Sequence, residues 1–142
     1  MEFQKTVKGV TAVVYDKMDK PYFLLLKRKK NWEGWEFPKG EIKNGEAELN
    51  ALKREIFEET GLQKFKIVKK IDNIKKEFTD KENILKIHSV YLVEASMNIP
   101  IHMPSESDSE HSTYLWTDSE SAMSKLTWDN DKEILKKALN EI

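Results

Sequence analysis

The sequence contains no cysteine, which excludes a disulfide framework and any thiolate chemistry. It also lacks an apolar run near the roughly 20 residues that a membrane helix needs. Its first stretch, "MEFQKTVKGVTAVVYD", carries an acidic residue at position 2 and no long apolar core. A signal peptide is therefore not expected, and the expected location is cytoplasmic with no membrane partner. Arginine is scarce: Arg28 and Arg54 are the only two, and nearly all other positive charge is Lys. Neither sign dominates, with 24 Lys+Arg against 25 Asp+Glu, so no global field draws the chain to nucleic acid or to a membrane surface. Any anion recognition must be local. What is present is a charge-rich chain of 142 residues, 39% hydrophobic, long enough for one core and read as one domain over residues 1–142. There is no internal repeat and no low-complexity segment.

"VTAVVYD" (10–16) and "PYFLLLKR" (21–28) are apolar and β-prone, and "DKMDKP" between them has turn composition. "KRKK" (27–30) reads as a strand end entering solvent. "KKNWEGWEFPKGEIKNGE" is rich in Gly, Pro and Asn with embedded aromatics, which predicts an ordered loop. From Glu46 to Thr60 the period is helical, with Leu49, Leu52 and Ile56 at i, i+3 and i+7 forming the expected core stripe. Asn44 can cap that helix, Glu46 places an anion at the positive end of its dipole, and Gly61 can end it, with Leu62 folding back onto Phe57. Residues 65–78 suggest a strand followed by a turn or second strand, 84–95 alternates as a strand, 96–112 is loop, and 113–118 is a short strand. Thr117 with Glu120 resembles a capping box for a brief helix near 118–125. A last helix covers 130–141 with Ile134, Leu135, Ala138 and Leu139 on one side. The irregular alternation of strands and helices points to an α/β or α+β layered fold.

The helix over 46–60 has an unusual acidic face. Each residue advances roughly 100°, so Glu55 and Glu59 lie one turn apart with Glu58 beside them. Three hard oxygen donors converge on an arc offset from the apolar stripe, a set suited to Mg²⁺ or Mn²⁺ rather than to a soft metal. Arg54 can reach Glu58 at i+4 and orient it. A run of Glu on a helix is usually only a wetted face. Here, however, the surrounding pattern is longer: G-x5-E-x7-R-E-I-x-E-E-x-G-L, from Gly40 through Glu46 and Arg54 to Leu62.

That pattern fills every fixed position of the Nudix box, and the chain resembles the Nudix hydrolases across residues 40–62. The resemblance implies an α/β class fold, a Nudix-type α/β/α sandwich with a mixed central sheet. It implies cleavage of a nucleoside diphosphate linked to another group, with Mg²⁺, or Mn²⁺ as a substitute. Glu55, Glu58 and Glu59 would hold the cations, joined by the backbone carbonyl of Gly40, and Arg54 would orient a glutamate. Chemically, a polyanionic pyrophosphate repels attacking hydroxide, and divalent ions relieve that repulsion and acidify a bound water.

The flanking stretches "WEFPKG" (35–40) and "SEHSTYLWTD" (109–118) contain W-x-x-P-K-G and E-H-x-x-Y-x-W. These resemble the asymmetrical diadenosine tetraphosphate hydrolases, as does "AMSKLTWDNDKEILKKAL". Parts are shared with diphosphoinositol polyphosphate hydrolases and with RNA 5′-pyrophosphate hydrolases. One departure is Glu41, where that group often has histidine. The resemblance places Lys39 and Lys86 on the polyphosphate, Glu110 as an extra metal ligand or proton acceptor, and Tyr114 near the nucleoside, where a flat π-face suits adenine. Lys39 and Lys86 could also be ordinary solvated lysines, and Tyr114 part of the sheet surface. Glu110 lies in an acidic loop with Glu106 and Asp108, and His111 beside it could contact phosphate or cap the loop. Trp32 and Trp35 read as packing residues, and His88 and His102 receive no role. The expected partner is a small-molecule nucleotide polyphosphate, with nucleic acid limited to an RNA 5′ end, and the expected assembly is a monomer or homodimer. The rival classes are an RNA 5′-pyrophosphohydrolase, a general nucleotide pyrophosphatase and a non-catalytic nucleotide sensor.

Overall fold

The computed structural model describes residues 5–30, 32–79, 84–104 and 110–142. Among them the elements are β1 (Lys5–Lys17), β2 (Pro21–Arg28), β3 (Gly34–Glu36), β4 (Lys39–Glu41), α1 (Glu48–Thr60), β5 (Lys66–Thr79), β6 (Ile84–Glu94), β7 (His111–Asp118), α2 (Ser119–Lys125) and α3 (Asp129–Glu141). One mixed sheet contains all the strands, in the order β3-β2-β1-β6-β5, with β4 also on β1 and β7 also on β2.

β6 runs parallel to β1 over its whole length, from Lys5↔Ile84 to Tyr15↔Glu94. β1 meets β2 only near the hairpin, from Tyr15↔Phe23 to Lys17↔Pro21. Farther from the turn the two strands part: β4 lies on β1 at Gly9–Thr11, and β7 lies along β2 from Tyr22↔Asp118 to Arg28↔His111. This divergence brings Lys39–Glu41 and His111 to the same end of the sheet, where the box helix also sits.

Both faces of the sheet are covered. Val13, Tyr15, Phe23, Leu25, Val90 and Leu92 pack against Ala122 of α2, Leu126, and Ile134, Leu135 and Ala138 of α3. On the other face Val10, Ala12, Val14, Leu24 and Val93 pack against Ala51, Leu52 and Ile56 of α1 and against Leu62. That double burial explains why β1 and β2 read as continuous apolar runs rather than alternating ones. The architecture is the expected α/β class, three layers with a mixed sheet between helices.

Several local expectations are corrected. The stretch over 29–46 is not wholly loop, because Gly34–Glu36 and Lys39–Glu41 find strand partners in β2 and β1. The segment over 65–78 is one strand, paired antiparallel with β6. Helix α1 starts after Ala47, whose extended backbone carries no side-chain cap, so Asn44 is not its cap. Glu46 lies outside the helix and accepts from the Lys43 N–H at 2.9 Å instead. Its buried residues are Ala51, Leu52, Ile56 and Thr60, while Leu49 is 46% exposed. Leu49 lies about 60° around the helix from Leu52, at the rim of the buried arc. Gly61 does end α1, at φ 75°, donating to the Phe57 carbonyl at 2.8 Å. Leu62 then turns into the core, whereas Phe57 is 50% exposed. Helix α2, which begins at Ser119, is capped by Asp118 rather than Thr117: the Asp118 carboxylate accepts from the Ser121 N–H at 2.9 Å. Strand β7 begins at His111, ahead of the expected start. Glu106 and Asp108, in the expected loop, lie outside the described residues.

Candidate active site

The two scarce arginines anchor the site from opposite sides. Arg54, on α1, gives Nε to Glu46 Oε2 at 2.8 Å and Nη2 to Glu46 Oε1 at 2.9 Å, a two-pronged pair. Nη2 also donates to the Glu41 carbonyl at 2.8 Å, and Nη1 to Glu55 Oε1 at 2.7 Å and Glu58 Oε2 at 3.2 Å. Arg54 therefore ties the loop after β4 to the helix face and leans on both acidic neighbours. Its bond to Glu46 foremost raises its own pKa further above the arginine range. Glu46 is held down to about 2 by the Arg54 fork first and the Lys43 N–H second.

Glu55 and Glu59 sit in the opposite environment. Burial pushes the Glu55 carboxyl upward, Arg54 opposes this, and the charges of Glu58 and Glu110 add to the rise. Burial pushes Glu59 well above the usual carboxylate range, and the charges of Glu55, Glu36 and Glu110 reinforce it. The opposing contact is the Lys39 backbone N–H, which donates to Glu59 Oε1 at 2.8 Å. Gly40 lies hard against Glu55: a Cβ there would fall 1.9 Å from the Glu55 carboxyl carbon. Only glycine lets the strand backbone come this close.

A third group enters from β3, β2 and β7. Glu36 of β3 is fully buried and accepts from His111 Nε2 at 2.7 Å through Oε2. Its Oε1 lies 3.2 Å from Lys39 Nζ. Burial alone would raise the Glu36 carboxyl, but the His111 bond and the charges of Lys39, His111 and Arg28 hold it down to about 2. Arg28 Nη1 donates to Glu36 Oε2 at 3.4 Å and to Glu110 Oε2 at 3.2 Å, and the guanidinium lies over Trp32, 5.5 Å from the ring centre. The expectation that "KRKK" simply enters solvent therefore fails at Arg28. Trp32 meets Trp128 edge-on at 5.2 Å. Trp35 packs against the α2–α3 core, as expected.

The structure thus gathers Lys39, Gly40, Arg54, Glu55, Glu58, Glu59 and Glu110 at one end of the sheet. Glu58 is the most open of the box carboxylates, half-exposed beside Arg54. The Lys39 ammonium faces Glu36. Lys86 stands on β6 between Val7 of β1 and Glu77 of β5, and among the described residues it makes no ion pair with a box carboxylate. Tyr114, 41% exposed, is opposite Leu26 and shares a strand face with Trp116, which packs on the α1 side. His88 is buried against Thr11 Oγ1 at 2.9 Å, an internal contact. The sequence motifs do not point to Glu36, whose place in the site comes from its burial on β3. The available signal was a carboxylate between Trp35 and Phe37, flanked by large apolar side chains on both sides.

The donor chemistry fits a hard divalent cation. Glu55 and Glu59 are partly desolvated and repel each other, the Gly40 backbone abuts them, and ligand atoms of Glu59, Glu110 and His111 lie within 4.8 Å of one another. No helix among the described residues is long and apolar enough to cross a membrane.

Comparison with known proteins agrees with this geometry. A model of the NUDIX domain matches residues 5–138. The fold is similar to an Ap4A hydrolase from C. elegans in a binary complex, with TM-score 0.79 and 25% identity over 95% of this chain and 96% of that one. It is similar to dihydroneopterin triphosphate pyrophosphohydrolase of E. coli, with TM-score 0.78 and 16% identity over 95% and 96% of the two chains. A 39-residue stretch is 41% identical to an RNA pyrophosphohydrolase of Bartonella bacilliformis. That match spans 28% of this chain and 23% of the relative. With the box residues folded onto one site and the domain model covering almost all of the sequence, the chain belongs to the Nudix hydrolase family.

Proposed function

We propose that the protein is a Mg²⁺-dependent hydrolase of dinucleoside polyphosphates, opening diadenosine tetraphosphate to ATP and AMP by attack of water on phosphorus. The observation that carries the reading is the pair of partly buried, mutually repelling carboxylates, Glu55 and Glu59, set against the Gly40 backbone. The resemblance of the flanking motifs and the C. elegans Ap4A hydrolase neighbour support the choice of substrate.

Glu55, Glu58 and Glu59, with the Gly40 carbonyl, would hold the cation, for which Mn²⁺ can substitute. A cation bound there supplies charge neutralisation for the polyphosphate and acidifies water. Arg54 fixes the carboxylates by bonding both Glu55 and Glu58 from one nitrogen. Glu58, the most solvent-accessible of the three, or Glu110, would take the proton of the attacking water. Lys39 and Lys86 would face the polyphosphate, and Tyr114, exposed on the α1 side of the sheet, offers its ring to the base.

A second reading is hydrolysis of RNA 5′-pyrophosphate, favoured by the short stretch shared with the Bartonella enzyme. A substrate panel separates the two: diadenosine tetraphosphate, ADP-ribose, 5′-triphosphorylated RNA and oxidised dGTP, each with Mg²⁺ and product analysis. The proposal expects fastest turnover of diadenosine tetraphosphate with ATP and AMP as products. Faster release of pyrophosphate from RNA would replace it with the second reading, and no metal-dependent turnover of any substrate would contradict both.

A further inference from the structure

We propose that Trp32 and Trp128, joined to Glu110 through the Arg28 guanidinium, form a stacking platform for the second nucleobase of a two-base substrate. Resting on the dinucleoside polyphosphate reading above, this gives one base a place that Tyr114 does not supply.

The four tryptophans have different settings. Trp35 packs against the α2–α3 core and Trp116 against the α1 core. Trp32 and Trp128 belong to neither, although the sequence reads Trp32 as a packing residue. They meet each other edge-on, with ring centres 5.2 Å apart. Trp32 is half-buried, and Trp128 is 46% exposed. Backbone contacts rather than core packing hold the pair in place. The Trp35 N–H donates to Thr127 Oγ1 at 3.0 Å, and the Thr127 N–H donates to the Trp35 carbonyl at 3.2 Å. Gly34 permits that approach, because a Cβ there would fall 2.0 Å from Thr127 Oγ1 and 2.9 Å from a Trp32 ring carbon. The Trp128 carbonyl accepts from the Asp131 and Lys132 N–H groups at the start of α3, at 3.1 and 3.2 Å. Two flat rings are thus presented at the surface on a fixed backbone, at low entropy cost to a planar ligand.

Continuity with the candidate active site indicates the occupant. Arg28 lies over Trp32, 5.5 Å from the ring centre, and the same guanidinium donates to Glu110 Oε2 at 3.2 Å. A ligand leaving the carboxylates in this direction meets a cation first and π-faces next, the order of phosphate and base in a nucleotide. Tyr114 shares a strand face with the α1 side of the sheet, whereas Trp128 begins α3 on the other side. A substrate with a base at each end can address both. Two indoles are too small a patch for a protein partner, which needs roughly 20–30 residues a side.

Substrate preference is the readout. kcat/KM is measured for diadenosine tetraphosphate and for adenosine 5′-tetraphosphate, which lacks the second nucleoside. The ratio of the two should fall about 10-fold in Trp128→Leu, through KM rather than kcat, and recover in Trp128→Phe, which keeps a π-face. A ring that only packed would affect both substrates alike, so an unaltered ratio overturns the proposal and leaves the substrate reading standing. Should Trp128→Leu not fold, or diadenosine tetraphosphate not be hydrolysed, adenosine titrated into the wild-type chain with ¹⁵N-labelled indoles decides. Ring-current shifts are expected at the Trp32 and Trp128 indole N–H signals. Such shifts without hydrolysis would sink the substrate reading and leave the platform as a nucleoside site. Shifts confined to Trp35 and Trp116, or none, would overturn the platform.

Discussion

Glu46 and Glu59 belong to one motif and live under opposite conditions. Glu46 receives both prongs of Arg54 and a backbone N–H, and its carboxyl is held down to about 2. Glu59 is partly buried among Glu55, Glu36 and Glu110, and its carboxyl is pushed well above the ordinary range. The protein completes the first carboxylate with its own cation. For the second it supplies one N–H, a His111 ring nitrogen 3.6 Å away and further negative charge. Gathering partly desolvated like charges costs stability, and groups perturbed in this way concentrate at functional sites. The contrast separates the box into a brace, Arg54–Glu46–Glu41, and, on the function proposed above, a cation receptor, Gly40–Glu55–Glu59.

The contrast predicts the sharpest losses on the receptor side. Glu58→Gln and Glu59→Gln should each lower turnover by about 10²–10³-fold, the equivalent of several kcal/mol of lost metal-derived stabilisation. Thermal unfolding of metal-free Glu59→Gln should nevertheless occur no lower than that of wild type, since a buried charge has been removed. A marked drop in its melting temperature would make Glu59 part of the brace instead. Gly40→Ala should follow, with turnover down by about 10²-fold from displacing the Glu55 carboxylate. Its melting temperature should change little, because the atoms that the new Cβ meets belong to a movable side-chain end. Arg54→Lys tests the brace. A lysine cannot deliver a fork to Glu46 while bonding the Glu41 carbonyl, and denaturant titration should show a loss of about 1–3 kcal/mol.

The two carboxylates should also respond to pH with opposite sign. Glu59 has a raised folded pKa, so its favourable contribution is present below the ordinary carboxylate value and is lost as pH rises through the folded value. Glu46 has a depressed one, so its contribution is present above the ordinary value and is lost as pH falls toward about 2. In metal-free melts the advantage of Glu59→Gln over wild type should grow with pH, and the deficit of Glu46→Gln should shrink in acid. Parallel curves for both variants would erase the distinction. The smallest effect belongs to Leu49→Ala, below about 0.5 kcal/mol as expected for an exposed site. A loss of about 2–5 kcal/mol would restore Leu49 to the core stripe.

That last case shows where the sequence was legible and where it was not. The continuous apolar runs of β1 and β2 and the period of α1 and α3 were readable because local pattern decides them. The meeting of Gly40, Glu55 and Glu59 was readable because they sit in one spaced motif. Leu49 was misassigned because a heptad-like spacing fixes a face but not its width, and the sheet covers only the Leu52–Ile56 side. Strands β3 and β4 were hidden because three residues carry little pattern of their own and are held by partners distant in sequence. Arg28 and Glu36 were missed for a related reason. Their meaning depends on β2 lying between β3 and β7, which no short window records.

Calorimetric titration of Mg²⁺ into the metal-free protein, beside the Glu55→Gln/Glu59→Gln double variant, tests the receptor most directly. Saturable uptake by wild type that is abolished in a folded double variant is the predicted result. Equal uptake by both proteins, or none by wild type with or without nucleotide, would contradict the account.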